Sequence, residues 1–138
     1  MMRNLDQRGV AAFEFCLVCV PLFTLMFVIF DLGRYAITQQ SLNALADAGA
    51  RAIMINCYTP DVIANTSPSG CTGDPLPTDA AKQAVAPFLY YAGLTPTLSA
   101  SAGANTLTVT ASQSGFTMLM PIWGTTLNAP SASTTIPF

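Results

Sequence analysis

The sequence predicts an α+β fold that begins with one long membrane helix. Two patterns predict it: residues 10–30 form an apolar run in which Glu14 is the sole charge, and residues after 95 alternate polar with apolar side chains. Of the 138 residues, 51% are hydrophobic and 9% are charged, whereas soluble domains contain about 25% charged residues. The composition excludes a surface solvated mainly by charge, and the length fits one membrane element and one small domain.

The apolar run is long enough to cross a bilayer. A spanning helix needs about 20 apolar residues, and residues 10–30 meet that requirement. Arg3 and Arg8 precede the run, while Asp31 and Arg34 cancel each other after it. The positive-inside rule then predicts a single pass, with the N-terminus in the cytoplasm and the remainder outside. A cleaved signal peptide is the alternative, but the run is longer than the usual h-region.

Beyond the membrane, residues 31–56 are predicted to extend the same helix, because apolar side chains continue at three- and four-residue steps. Asp31 and Arg34 form an i,i+3 pair that is expected to be exposed and to mark the membrane boundary. Asp47 and Arg51 repeat the arrangement at i,i+4 on a solvated face.

Residues 57–77 are predicted to form a loop that contains Cys57 and Cys71, since they are dense in Pro, Gly, Ser and Thr. If this region is periplasmic, the compartment is oxidising and the two cysteines are expected to form a disulfide. The alternative is a two-cysteine metal site, which has no histidine to complete it.

Residues 78–138 are predicted to form an α+β head outside the membrane. A second, short helix starts with Thr78 as N-cap, is kinked at Pro87 and stops at Gly93. The period-two pattern then predicts an antiparallel sheet with strands at residues 97–99, 106–110, 116–122 and 134–138. Residues 83–138 contain no charged side chain, and lipid does not explain this outside the membrane. The charge-free stretch indicates either a partner-facing surface or a sheet solvated by Ser and Thr.

The residue inventory argues against catalysis. The chain has no histidine, a single lysine and dispersed acids, so no nucleophile–base pair or metal cluster is evident. We therefore expect no enzyme activity, no cofactor and no metal. Five Lys and Arg residues in total also disfavour nucleic-acid binding, which needs a phosphate-tracking basic patch.

The residues around Glu14 resemble the processing site of type IV pilins and pseudopilins. A short basic leader, residues 1–9, ends in Gly9, and Glu14 is the fifth residue counted from Val10. The resemblance implies that a prepilin peptidase cuts between Gly9 and Val10. Cleavage would free an α-amine on Val10, and the Glu14 carboxylate of the same or a neighbouring subunit could pair with it.

A wider resemblance is to the TadE-like family of tight-adherence (Flp-type) pilus systems. It is carried by the processing string, by residues 31–34 and by the Ala-rich segment 42–52, which contains Gly49-Ala50-Arg51. It implies a pilin-like minor pseudopilin that helps initiate or assemble an adhesion pilus. The implied partners are other pilins and pseudopilins, assembly-platform proteins, the prepilin peptidase and the membrane.

The implied location is the bacterial inner membrane with a periplasmic head, and incorporation into the extracellular pilus is left open. A rival reading is an uncleaved, signal-anchored envelope protein whose outer domain binds a ligand unrelated to pili. N-terminal processing distinguishes the two.

Overall fold

A computed structural model describes residues 7–138 and has the predicted α+β fold. The first helix, α1, runs from Gln7 to Ile53 and continues through Pro21. It therefore joins the predicted membrane span and its extension in one element. Residues 1–6 of the predicted leader lie outside the described residues.

Helical structure continues beyond α1 and further than the sequence predicts. A π-helical turn, Met54–Tyr58, follows α1 and leads directly into α2, Thr59–Ile63, so the predicted loop does not begin at Cys57. Pro60 explains the widened turn, because proline has no N–H to donate to the carbonyl four residues earlier. The Thr59 hydroxyl and N–H both bond to the Met54 carbonyl instead, the hydroxyl at 2.6 Å.

The second predicted helix is present but short. It forms α3, Asp79–Val85, and the Thr78 side chain accepts a hydrogen bond from the Ala81 N–H at 3.3 Å, as an N-cap does. The prediction of one helix kinked at Pro87 is wrong. The helix ends at Val85 and a separate 3₁₀ segment, Pro87–Gly93, follows, with Gly93 at a positive φ of 73°.

Three antiparallel strands form the sheet in the order β1-β2-β3. Their bounds are Thr97–Ala102 for β1, Thr106–Ser112 for β2 and Ser131–Pro137 for β3. The predicted strand at residues 116–122 is wrong. These residues leave the sheet and reach α1, where the Met120 N–H donates to Asp31 Oδ2 at 2.8 Å.

The core lies between one face of α1 and one face of the sheet. Small side chains on α1 allow the close approach: a Cβ on Gly49 would lie 3.0 Å from Leu98 Cδ2 and 3.1 Å from Val109 Cγ1. The residues that α1 and the sheet bury completely, at 0% exposure, are Leu42, Leu45, Ala46, Leu107, Val109 and Ala111.

Strand β3 runs along α1 in the direction that leads away from the predicted membrane span. Three hydrogen bonds record this alignment: Gln39 Nε2 to the Ser131 carbonyl, Thr134 Oγ1 to Asp47 Oδ1, and the Tyr58 hydroxyl to the Pro137 carbonyl. The head therefore has a proximal end, residues 113–131 beside residues 31–39 of α1. It also has a distal end, beside residues 53–63.

Candidate functional site: the exposed part of the long helix

The residues of the predicted processing and assembly site lie on one exposed stretch of α1. Gly9, Val10 and Glu14 are all helical and solvent-exposed, and a Cβ on Gly9 would meet nothing within 4 Å. Glu14 is one helical turn after Val10, a rise of about 6 Å at 1.5 Å per residue. Among the side chains that the structure describes, none forms an ion pair with Glu14. The Glu14 carboxylate is thus not neutralised by any side chain that the structure describes.

The apolar surface around this site is not covered by the chain itself. Phe13 and Phe15 are each 68% exposed, and the following large side chains up to Phe30 are similarly open. The helix from Gly9 to Ile63 is long and apolar enough to cross a membrane. A core helix of a soluble protein also passes that test, but such a helix would be buried, whereas this stretch is exposed. The described part of the chain leaves this surface uncovered.

Pro21 interrupts the hydrogen-bond ladder in the middle of the apolar stretch. Proline donates no N–H, so the Leu17 carbonyl loses its usual helical partner. The Thr24 hydroxyl donates a hydrogen bond within the helix, to the Val20 carbonyl at 2.8 Å. Cys16 and Cys19 have free thiols on the same stretch. Apart from Glu14, this part of the helix therefore offers an apolar surface.

Asp31 and Arg34, the predicted boundary pair, do form an ion pair, but Asp31 is buried and not exposed as expected. Asp31 is not exposed: its accessible fraction is 1%, and it accepts hydrogen bonds from the Met120 N–H at 2.8 Å and from Arg34 at 3.4 Å. The Arg34 side chain is 42% exposed and its guanidinium lies 5.4 Å from the centre of the Phe116 ring. Asp31 holds the segment after β2 against α1, and the partly exposed Arg34 packs over the Phe116 ring of the same segment.

Cys57 and Cys71 are joined by a disulfide at the distal end of the head, with their Cα atoms 5.8 Å apart. The bond ties the π-helical turn to the loop that follows α2. Asp61 Oδ2 lies 3.4 Å from the sulfur of Cys71 and 3.7 Å from that of Cys57. These are contacts and not hydrogen bonds, because bonded sulfurs carry no proton. The three residues could offer a metal three ligand atoms only after reduction.

Other polar contacts could not be anticipated from sequence spacing. Lys82 is buried and its Nζ lies 2.6 Å from Asp74 Oδ2. Asp47, expected to pair with Arg51, accepts a hydrogen bond from the Thr134 hydroxyl at 2.7 Å. In the part of the chain that the structure describes, no Asp47–Arg51 ion pair forms. The Lys82–Asp74 pair fixes α3 to the loop before it, and the Asp47–Thr134 hydrogen bond joins α1 to β3.

The 3₁₀ segment after α3 contains Tyr90, whose pKa is raised. The Tyr90 hydroxyl donates to Asp79 Oδ1 at 3.1 Å. Burial of the ring, then the hydrogen bond to Asp79 and the negative charges of Asp79 and Asp74, raise the pKa of Tyr90 to about 12. Tyr90 therefore remains a neutral hydrogen-bond donor at any physiological pH.

The exposed apolar helix, Gly9 and Glu14 all lie within one stretch of similarity to a known family. Residues 9–51 match the family model of TadE-like proteins. This TadE-like segment covers less than half of the chain and ends near the C-terminus of α1. No curated protein and no solved structure matches the chain. The chain is thus similar to TadE-like proteins over residues 9–51.

The TadE-like segment contains the predicted processing site and boundary pair, but not the sheet or the disulfide. Gly9, Val10, Glu14, Asp31 and Arg34 all lie within the segment, whereas the disulfide and all three strands lie beyond it. The family resemblance therefore concerns the helix and its outer boundary. The head must be understood from its own contacts.

Proposed function

We propose that this chain is a minor pseudopilin: a membrane-anchored structural protein, without enzyme activity, that helps initiate or assemble a tight-adherence pilus. One observation carries the proposal. Within the TadE-like segment, an exposed apolar helix presents Glu14 one turn after the Gly9–Val10 bond. A prepilin peptidase removes residues 1–9, and the mature chain begins at Val10.

The position of Glu14 explains how such a helix assembles. A lone carboxylate near the centre of a membrane costs roughly 2.5 to 3.5 kcal/mol, and less near the interface. Pairing with the new α-amine of a neighbouring subunit offsets this cost and fixes the relative depth of the two helices. The apolar side chains of residues 10–30, which the chain leaves uncovered, then pack against lipid and other pilin helices.

In the proposed topology, the N-terminus is cytoplasmic, the helix crosses the inner membrane once, and the head lies in the periplasm. The oxidising periplasm keeps Cys57 and Cys71 bonded. The head is then available to other pilins and to assembly-platform proteins. Its firm attachment to α1 through the core means that helix and head move as one body during assembly.

The carboxylate is tested with Glu14→Gln, which preserves size and helix propensity and lowers the cost of membrane insertion. We expect surface pili, and co-purification with other pilins, to fall about tenfold, the change for an interaction worth about 1.4 kcal/mol. Cys16→Ala is the matched control, since Cys16 is exposed on the same stretch and carries no charge. Full piliation with Glu14→Gln contradicts the proposed assembly role.

A further inference from the structure

The proximal end of the head carries an apolar patch, formed by the exposed side chains of Leu119, Ile122 and Trp123. Leu119 is 69% exposed, Ile122 53% and Trp123 47%. Resting on the membrane-anchored function proposed above, we propose that this patch is an interfacial anchor. It inserts side chains into the outer headgroup layer of the membrane and seats the head on the bilayer.

The hydrogen bond from Met120 places the patch at membrane level. Its N–H donates to Asp31 Oδ2, and Asp31 directly follows the apolar span of residues 10–30. The headgroup layer on each side of the hydrocarbon core is roughly 5 to 7 Å thick. Trp123 is three residues from Met120, and successive Cα atoms are about 3.8 Å apart. Trp123 therefore lies at most about 11 Å from Met120, close enough for the patch to reach the headgroup layer.

The charges around the patch suit a lipid surface. Residues 83–138 contain no charge, so burying the patch desolvates no ionised side chain of its own. Asp31 is buried and turns no carboxylate toward the lipid phosphates, whereas Arg34 is 42% exposed at the same level. A guanidinium binds phosphate well. The proximal end thus offers a cation and an apolar patch to the zwitterionic or anionic headgroups.

The residue types also suit the interface more than the hydrocarbon core. Tryptophan is enriched at the headgroup level, where its ring is apolar and its N–H stays near water. Residues 121–123 form a short 3₁₀ turn, and such irregular backbone is not tolerated in lipid below the interface. The proposed depth is therefore shallow, with the side chains inserted and the backbone at the surface.

A lipid partner is favoured over a protein partner by continuity with the span. The distal end also has exposed apolar side chains, Ile55 at 72% and Ile63 at 76%, but these lie more than 20 residues of helix beyond the span, over 30 Å at 1.5 Å per residue. The patch, by contrast, is bonded to the residue that follows the span. It cannot avoid the bilayer surface when α1 is inserted.

Trp123 is the single tryptophan of the chain, so its fluorescence reports the patch directly. The full chain is reconstituted in phosphatidylcholine–phosphatidylglycerol vesicles that contain lipids brominated either near the headgroup or deep in the acyl chain. We expect blue-shifted emission, at least twofold stronger quenching by the shallow bromines than by the deep ones, and weak quenching by aqueous acrylamide. Emission and acrylamide quenching typical of water-exposed tryptophan overturn the proposal.

Two relocated tryptophans, each in a Trp123→Phe background, complete the design. Ile63→Trp reports the distal end and is expected to be quenched by acrylamide and not by brominated lipid. Phe23→Trp reports the middle of the span, about 12 Å below Asp31 at 1.5 Å per residue, and is expected to be quenched most by the deep bromines. If Phe23→Trp is quenched by the deep bromines and Trp123 is not quenched by lipid, the anchor is wrong and the membrane helix stands. If neither is quenched, the membrane-anchored function fails as well.

Leu119→Ser combined with Ile122→Ser gives an independent test with Trp123 as reporter. Both side chains are exposed, so the variant is expected to fold normally. Weaker insertion should raise acrylamide quenching of Trp123 by at least twofold. Unchanged quenching by acrylamide and by the shallow bromines shows that the patch does not insert as a unit and contradicts the proposal.

Discussion

The two parts of α1 are built from similar apolar residues but have opposite surroundings. Residues 10–30 leave their apolar side chains exposed, with Phe13 and Phe15 at 68%. Residues 42–53 bury one apolar stripe against the sheet, with Leu42 and Leu45 at 0%. One continuous helix thus serves as a surface for other molecules at one end and as the core of a domain at the other.

The difference between these two parts comes from side-chain size and distribution. Residues 10–30 are apolar on all sides and include many large side chains, as a helix surrounded by lipid does. The outer part has one apolar stripe with small residues such as Ala46 and Gly49, which let the sheet approach closely. Substitutions in the outer part should therefore unfold the head, and matched substitutions in the apolar part should not.

The largest effect is expected from the disulfide. Replacing Cys57 and Cys71 together by serine should lower the free energy of unfolding by about 3 kcal/mol, the loop-entropy value for a closed loop of about 15 residues. Denaturant unfolding of the full chain in detergent, followed by near-ultraviolet circular dichroism of the head, measures the change. The double variant Cys16→Ser and Cys19→Ser is the control in the apolar part. An equal loss in that control would remove the distinction between the two parts.

A smaller effect is expected at Gly49. A side chain there would collide with Leu98, Pro75 and Val109, each about 3 Å from the added Cβ. Gly49→Val should cost about 2 kcal/mol of stability, within the usual range for overpacking. Gly33→Val, where a Cβ meets nothing within 4 Å, should change stability by less than about 0.5 kcal/mol. Similar melting temperatures for the two variants would show that the helix–sheet contact is not tight.

The smallest effect concerns the junction between the two parts. Asp31→Ala leaves the Met120 N–H without its acceptor and should cost about 1.5 kcal/mol. Asp31→Asn keeps an acceptor and should restore part of that loss. Hydrogen exchange of residues 118–123 measures the effect locally, since the freed segment should exchange faster. Asp47→Ala, on an exposed side chain, is the control, and faster exchange in that variant would argue against a specific role for Asp31.

The features that could be predicted from the sequence depend on local patterns. The first part of α1 follows from the apolar run and its extension from apolar residues at three- and four-residue steps. Thr78 could be placed as an N-cap because capping involves neighbouring residues. Strands β1 and β2 follow from alternation. By contrast, the buried state of Asp31 depends on Met120, far away in sequence.

Contacts between residues far apart in sequence also explain why the strand predicted at residues 116–122 is wrong. Their composition suits a strand, but two of their backbone N–H groups bond to side chains and not to a neighbouring strand. The Met120 N–H donates to Asp31 and the Met118 N–H donates to the Asn128 side chain. The candidate processing site was found from local residues alone. The proposed lipid-facing patch required the three-dimensional structure, because only there does it lie beside the end of the span.

The mass of the mature chain is the most direct test of the claim that the exposed part of α1 is a processed pilin helix. The chain is purified from cells with and without an active prepilin peptidase and is examined by intact-mass measurement and N-terminal sequencing. We predict that the chain begins at Val10 when the peptidase is present and retains residues 1–9 when it is absent. A chain that begins at Met1 in both cells, or at a residue other than Val10, would contradict the claim.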